Sequence, residues 1–232
     1  MKILAIDIGG TNVKVKSTEA GEARKFPSGR ELTPRQMVDG VLELTKDWDY
    51  EAVAAGYPGP VVHGQIAKEP VNLGKGWVGF DFSAALAKPV RLINDAAMQA
   101  LGSYTGGRML YLGLGTGLGN TLIVDGVIAP MELGHLPYKK QLTFEDYVGV
   151  RGMDRLGKKK WQKAVYDVVE RLRAALLADY VVLGGGNAKK LVALPEGCRL
   201  GNNDNAFLGG FRLWKEYGGG ADPSAVAGGG HG

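Results

Sequence analysis

Apolar residues fall along this chain in short unbroken runs separated by glycine-rich turns. The first run, residues 2–8 (KILAIDI), predicts a buried strand. Across the turn Gly9-Gly10-Thr11, residues Asn12 to Thr18 alternate and predict its hairpin partner. Thr33-Pro34-Arg35-Gln36 has the form of a capping box with proline at the first helical position. Met37, Val38, Val41, Leu42 and Leu44 then share one side of the helix it opens. Residues 52–56 and 61–67 predict strands flanking Tyr57-Pro58-Gly59-Pro60, whose prolines and glycine force a turn. Residues 90–93 predict another strand, which ends at Asn94-Asp95 before a helix over 96–104.

Half-way along, the opening pattern returns. Met109 to Leu114 predicts a strand, Gly115-Thr116-Gly117-Leu118-Gly119 a loop, and Asn120 to Ile128 a second strand. Strand, Gly/Thr turn and strand occurring twice predict two related halves. An amphipathic helix follows over 158–177, with Trp161, Val165, Val168, Val169, Leu172 and Leu176 at helical spacing. A buried strand over 180–183 runs into Gly184-Gly185-Gly186 and a short helix, and Gly209-Gly210 predicts a turn in a last helical segment ending near Tyr217. The expected organisation is an N-terminal lobe over 1–105, a C-terminal lobe over 106–217, and a glycine-rich tail over 218–232. The last helix is a candidate to return to the first lobe.

Composition sharpens this picture at the glycines. There are 37 in 232 residues, yet no Gly-X-Y period, and 45% of residues are hydrophobic against 22% charged, so collagen and simple disorder are excluded. Seven of the glycines lie in the tail. The informative remainder gather at 9–10, 115–119 and 184–186, each after an apolar strand. The net charge of +4 is too small to imply nucleic acid. A lone cysteine, Cys198, excludes a disulfide framework and a multi-cysteine zinc cluster. No uncharged apolar stretch approaches the roughly 18 residues of a membrane helix, and the chain enters a strand with no leader pattern. A cytoplasmic protein with no membrane or nucleic-acid partner is expected.

Candidate chemistry starts with Asp7-Ile8-Gly9-Gly10-Thr11-Asn12 and Lys14. An acidic residue at a strand end can hold hydrated Mg²⁺, and bare glycines let backbone N–H groups close on phosphate. The same residues also suit an ordinary hairpin. Gly115-Thr116-Gly117 contains a G-x-G string, but the residues after it alternate as a strand, which disfavours a dinucleotide-binding helix. Gly184-Gly185-Gly186 is either a plain strand-to-helix turn or a place where phosphate meets a helix N-terminus. Asn94-Asp95 supplies either a helix cap or a general base for a substrate hydroxyl. Glu132-Leu133-Gly134-His135 has too few ligands for zinc and suits hydrogen bonding to a polyhydroxylated substrate. Arg151, Arg155 and Lys158-Lys159-Lys160 form either a solvated helix start or a polyanion track.

Taken in order, Ile6 to Asn12, Tyr57-Pro58-Gly59, Asn94-Asp95, Gly115 to Gly119, Glu132 to His135 and Gly184 to Gly186 closely resemble the ROK sugar kinases. Within that family the stretches Tyr57 to Gly64, Asn72 to Trp77 and Glu132 to Leu136 look most like polyphosphate glucokinases. The resemblance implies an α/β, actin-like and ribonuclease-H-like fold of two lobes with the active site between them. It implies Asp95 as catalytic base, with Gly59, Asn72, Asn94, Glu132, His135 and Glu145 at the sugar. Asp7, Gly9, Gly10, Thr11, Asn12, Lys14, Gly115, Thr116, Gly117 and Gly184 to Gly186 would surround phosphate, with Mg²⁺ at Asp7. The implied reaction transfers a phosphoryl group from polyphosphate and/or ATP to the 6-hydroxyl of glucose, in a homodimer. Many family members carry a cysteine-rich zinc motif where Pro137 to Thr143 stands here without cysteine, so no zinc site is expected. A kinase for fructose, mannose or an N-acetyl amino sugar, a non-catalytic sugar sensor, and a nuclease on the same general fold are the competing readings.

Overall fold

The computed structural model describes residues 1–202 and 204–215; the expected tail over 218–232 and the end of the last helix near Tyr217 lie outside them. It divides into two units, Met1–Gly102 joined by the chain from Ala206, and Ser103–Asn205.

In the first unit, β1 (Ile3–Ile8) and β4 (Ala52–Tyr57) are buried at every position, as expected of central strands covered on both faces. The sheet order is β3-β2-β1-β4-β7, with β2 (Asn12–Ser17), β3 (Arg24–Pro27) and β7 (Val90–Asn94) completing it. β2 runs antiparallel to β1 and β3 to β2, whereas β1, β4 and β7 are mutually parallel. One face packs Leu4, Ile6, Val13 and Val15 against Met37, Val38 and Val41 of α1 (Pro34–Leu44). The expected capping box opens that helix: the Thr33 hydroxyl accepts from Gln36 N, and the Gln36 side chain accepts from Thr33 N at 2.9 Å.

The opposite face carries small residues, and α7 (Asn205–Lys215) uses them to approach closely. A β-carbon at Gly210 would lie 2.8 Å from Ala5 Cβ, and one at Gly209 would lie 1.8 Å from the Met98 carbonyl oxygen in α3 (Asp95–Ser103). Gly209-Gly210 is therefore helix interior at a helix crossing, not the turn that the sequence predicts. The requirement for glycine comes from α3, more than a hundred residues earlier in the chain. Trp214 Nε1 donates to Val53 O at 2.9 Å and Arg91 Nη1 to Leu213 O at 2.8 Å, fixing the helix end on the sheet.

The second unit repeats the arrangement. Its order is β10-β9-β8-β11-β12, formed by β8 (Arg108–Leu114), β9 (Leu118–Val124), β10 (Val127–Met131), β11 (Tyr180–Gly184) and β12 (Cys198–Leu200). β8 pairs antiparallel with β9, β9 with β10, and β8, β11 and β12 are parallel. Both units thus place a glycine loop between the first two strands of one shared topology, which is the expected internal repeat. α6 (Lys158–Ala175) buries Trp161, Val165, Val168, Val169 and Leu172 against Leu110, Leu112 and Val181, and Trp161 Nε1 donates to Val148 O at 2.7 Å.

Three further expectations change. Residues 61–67 are two short strands, β5 (Val61–Val62) and β6 (Gln65–Ile66), because His63 and Gly64 take positive φ and reverse the chain. The single strand over 120–128 is broken at Asp125-Gly126, both with positive φ, as an Asp-Gly hairpin turn requires. After Gly186 the chain makes one 3₁₀ turn, Ala188–Lys190, so no α-helix N-terminus stands there to attract phosphate. Among the described residues no helix is long and apolar enough to cross a membrane.

Candidate active site

Parallel strands deliver their carboxyl ends to one edge of the first unit, the edge where open α/β sheets bind ligands. Asp7, Gly56 and Ile93 are in register across β1, β4 and β7, and Tyr57 pairs with Asn94. Three loops leave that edge: Gly9-Gly10-Thr11, Pro58-Gly59 and Asn94-Asp95. With strands ~4.8 Å apart, Asp7 and the start of α3 are about 10 Å apart across β4. Asn94 ties two of the loops together. Its Nδ2 donates to Gly59 O at 3.0 Å, while its Oδ1 accepts from Ala96 N and Ala97 N at 2.9 and 3.2 Å. Asn94 is therefore the residue that caps α3, and Asp95 stands in the first helical turn with Oδ1 accepting from Ala96 N at 2.7 Å.

Neither Gly9 nor Gly10 has a left-handed φ, so a hairpin dihedral is not what requires glycine there. Space requires it. A β-carbon would lie 2.9 Å from Asn12 O at Gly9, and 3.2 Å from the Asn72 β-carbon at Gly10. Asn72, distant in sequence, is thereby placed on the first glycine loop. Ser28 holds the same loop from outside: its hydroxyl donates to Gly9 O at 2.6 Å and its N–H to Thr11 O at 2.9 Å. Asp7 is buried below, 3.4 Å from Lys14 Nζ on the paired position of β2. Burial pushes its carboxyl above the usual carboxylate range, and Lys14 opposes that shift. No group of three or more His, Cys, Asp or Glu gathers as a metal cage among the described residues. The donor set at Asp7 suits Mg²⁺ in its common mode, one carboxylate with water and substrate phosphates.

In the second unit the loop Gly115-Thr116-Gly117 crosses from β8 to β9. Val150 N, at the start of α5 (Val150–Leu156), donates to Gly115 O and Thr116 O at 3.1 and 3.2 Å. Asn187 donates from its N–H to Leu114 O at 2.9 Å and from Nδ2 to Gly115 O at 3.1 Å. Gly115 has open space around it. Of the third string, Gly184 and Gly185 press on Tyr111 and the Leu114 backbone, whereas Gly186 has nothing within 4 Å. Asn187→Ala leaves the Gly115 carbonyl without its side-chain donor and is expected to cost about 1–2 kcal/mol. The check is a lower urea midpoint at unchanged m-value; an unchanged midpoint means that the bond does not hold the loop.

Glu132, His135, Glu145 and Arg151 meet beside that loop. His135 Nδ1 lies 3.9 Å from Glu132 Oε2, and Nε2 lies 4.0 Å from Glu145 Oε1. Glu145, in α4 (Phe144–Val148), is also 3.6 Å from Arg151, and its carboxylate sits where a β-carbon on Gly117 would fall. Buried Asn120 sets the turn that carries His135, accepting from Leu133 N at 3.1 Å. From His135 to Glu145 the chain makes a hairpin closed by a Pro137–Thr143 bridge and by Phe144 N on Leu136 O at 3.1 Å. At its tip Lys140 and Gln141 both have positive φ, a strain of about 1–2 kcal/mol each for non-glycine residues. Arg151 also reaches Asp146 at 3.3 Å, and Arg155 donates to Asp146 O at 2.7 Å, so both serve this local structure; Lys158 to Lys160 open α6. Ser28 and Asn187 escape sequence reasoning because their partners are remote in the chain, and Asn120 because its bond to Leu133 N exists only once β10 has folded back on β9.

The arrangement therefore offers glycine loops with exposed backbone, a carboxylate at a helix start, and a cluster of two carboxylates with an imidazole suited to hydroxyl groups. Residues 3–146 match the ROK family. The polyphosphate glucokinase of Mycobacterium tuberculosis is 25% identical over 206 residues, 80% of this chain and 77% of that protein. The N-acetylmannosamine kinase of Haemophilus influenzae is 27% identical over 144 residues, 55% of this chain and 48% of that one. The crystal structure of the inorganic polyphosphate/ATP-glucomannokinase from Arthrobacter superposes with a TM-score of 0.76 at 24% identity, covering 90% of this chain and 96% of that chain. With more than half its length matched, and with the actin-like fold of the family's sugar kinases, this chain belongs to the ROK family.

Proposed function

We propose that this ROK sugar kinase transfers the terminal phosphoryl group of polyphosphate and/or ATP to the 6-hydroxyl of glucose. The observation that carries the reading is Asp95, in the first turn of α3, at the strand edge that also bears the Gly9-Gly10 loop. Asp95 takes the proton from the sugar hydroxyl as the hydroxyl oxygen bonds to the terminal phosphorus. The bond from that phosphorus to the bridging oxygen breaks, and the shortened polyphosphate or ADP leaves with its electron pair. Asn72, Asn94, Gly59, Glu132, His135 and Glu145 hold the sugar. Backbone N–H groups of the Gly9 and Gly115 loops, with Thr11, Asn12, Lys14, Thr116, Gly117 and, from the Gly184–Gly186 turn, the open Gly186, hold phosphate. Asp7 would hold Mg²⁺, which would supply charge neutralisation for the transferring group.

Similarity to polyphosphate glucokinases and to a polyphosphate/ATP-glucomannokinase supports the donor and the hexose. Similarity to N-acetylmannosamine kinases favours an N-acetyl amino sugar as the second reading. A coupled assay separates them by pairing glucose, mannose and N-acetylmannosamine with polyphosphate and with ATP. Glucose is expected to give the highest kcat/KM, with at least one of the two donors active. A preference for N-acetylmannosamine moves the assignment to the second reading, and no turnover in any pairing removes the kinase.

A further inference from the structure

The hairpin between His135 and Glu145 carries Lys140 and Gln141 at its tip, both left-handed, as a two-residue type I′ turn requires, at a cost that glycine would not carry. Its internal hydrogen bonds run from Tyr138 N to Leu142 O and from Leu142 N to Lys139 O. Among the described residues, the external polar hold is a cluster on α6. Tyr138 donates its hydroxyl to Asp167 Oδ2, and the same oxygen accepts from Lys139 Nζ and from Arg171 Nε, each at 3.1 Å. Lys139 Nζ also donates to the Tyr138 hydroxyl at 2.7 Å. The Tyr138 ring meets Tyr147 edge-on at 4.8 Å and Phe144 at 5.2 Å, so the hydroxyl is presented to Asp167 by aromatic packing.

We infer that Asp167, acting through Tyr138, is a positioning residue for the pair His135 and Glu145. The inference rests on the reading that this pair binds the hexose. Tyr138 is three residues after His135, and Phe144, which its ring touches, immediately precedes Glu145, so fixing Tyr138 sets the exit of one and the entry of the other. Asn120 fixes the turn at His135 from the sheet side; Asp167 fixes the hairpin from the helix side. Burial opposes the charged form of Asp167, but the Tyr138 hydroxyl, Lys139 and Arg171 outweigh it and hold its carboxyl at about 2. Asp167 is thus charged at neutral pH. It is not itself a catalytic residue: among the described residues its side-chain polar contacts are with the hairpin and its own helix.

The test measures hexose KM, donor KM and kcat, together with amide hydrogen exchange at Tyr138 and Leu142. The variants are Asp167→Ala, Asp167→Asn and Tyr138→Phe, with His135→Ala as reference. Asp167→Ala and Tyr138→Phe are expected to raise hexose KM roughly tenfold, with kcat within about twofold and donor KM unchanged. Exchange at Leu142 quickens in the same two variants. Asp167→Asn keeps an oxygen for the Tyr138 hydroxyl and is expected to recover most of the hexose affinity. If His135→Ala raises hexose KM while Asp167→Ala and Tyr138→Phe leave it at the wild-type value, the positioning role is wrong and the hexose site stands. If His135→Ala also leaves it unchanged, the hexose assignment is wrong and the positioning role falls with it. A parallel loss of kcat and of donor affinity in Asp167→Ala marks a merely structural residue and also overturns the inference.

Discussion

Asp95→Asn is expected to lower kcat by about two to four orders of magnitude, the usual worth of a positioned general base. That range corresponds to roughly 3–5 kcal/mol of transition-state stabilisation. The substitution is nearly isosteric, and its amide oxygen can still accept from Ala96 N as Asp95 does at 2.7 Å. The helix start does not depend on the Asp95 charge, because Asn94 caps it through Ala96 and Ala97. Losing a carboxylate from the first turn removes a favourable interaction with the helix dipole, worth about 0.3–1 kcal/mol. Hexose KM and the melting temperature should therefore stay close to wild type while turnover collapses. The measurement is steady-state kinetics beside a thermal melt of the same preparation. Turnover within a few-fold of wild type would show that the proton goes elsewhere.

The second large effect is on stability. Gly209→Ala places a β-carbon 1.8 Å from the Met98 carbonyl oxygen, 2.8 Å from its carbon and 3.0 Å from Gly102 N. All three are backbone atoms of α3, so no side chain can swing aside. Two effects oppose each other. Alanine is the better helix former by about 1 kcal/mol, but overpacking costs typically 1–3 kcal/mol, and about 3–4 kcal/mol where, as here, backbone must move. The clash wins, and a net loss of about 2–3 kcal/mol is expected, a fall in Tm of roughly 4–12 °C for a chain of this size. Leu208, beside it on α7 and 41% exposed, supplies the control. Leu208→Ala should change stability by less than about 0.5 kcal/mol. A Gly209→Ala protein that melts at or above the wild-type temperature would mean that α7 does not approach α3 so closely.

What the sequence disclosed was local or repeated. The capping box at Thr33 and Gln36 needs only four residues, and the strand–glycine–strand repeat declares itself twice. The Asp125-Gly126 turn carries an equally local signal, but the apolar runs Leu122 to Val124 and Val127-Ile128 on either side of it read together as one strand. Gly209-Gly210 misleads for a different reason. A glycine pair within a helical pattern carries no sign of whether the chain turns or another helix comes close. The candidate site divides in the same way. Asp7, Asp95 and the glycine loops stand at strand ends that periodicity locates, but Asn72 over Gly10, Ser28 on Gly9 and Asn187 on Gly115 depend on chain crossings. Even the glycines at 9 and 10 earn their place by proximity to other atoms, which a turn-propensity argument does not see.

Because α7 belongs with residues 1–102, the whole of 103–205 is an insertion into the first unit. The two ends of that insertion are bonded to each other, with Asn205 Nδ2 donating to the Ser103 hydroxyl at 2.8 Å. Synthesis from the N-terminus therefore completes the two units in the reverse of the order in which they begin. The second has all its strands and helices by Asn205. The first must wait for Gly210 to cover Ala5 and Ala54, which were made roughly 150 to 200 residues before. Until then a nascent chain carries a sheet face that α3 covers but α7 does not, and that interval is where a folding helper or an aggregating neighbour would find it.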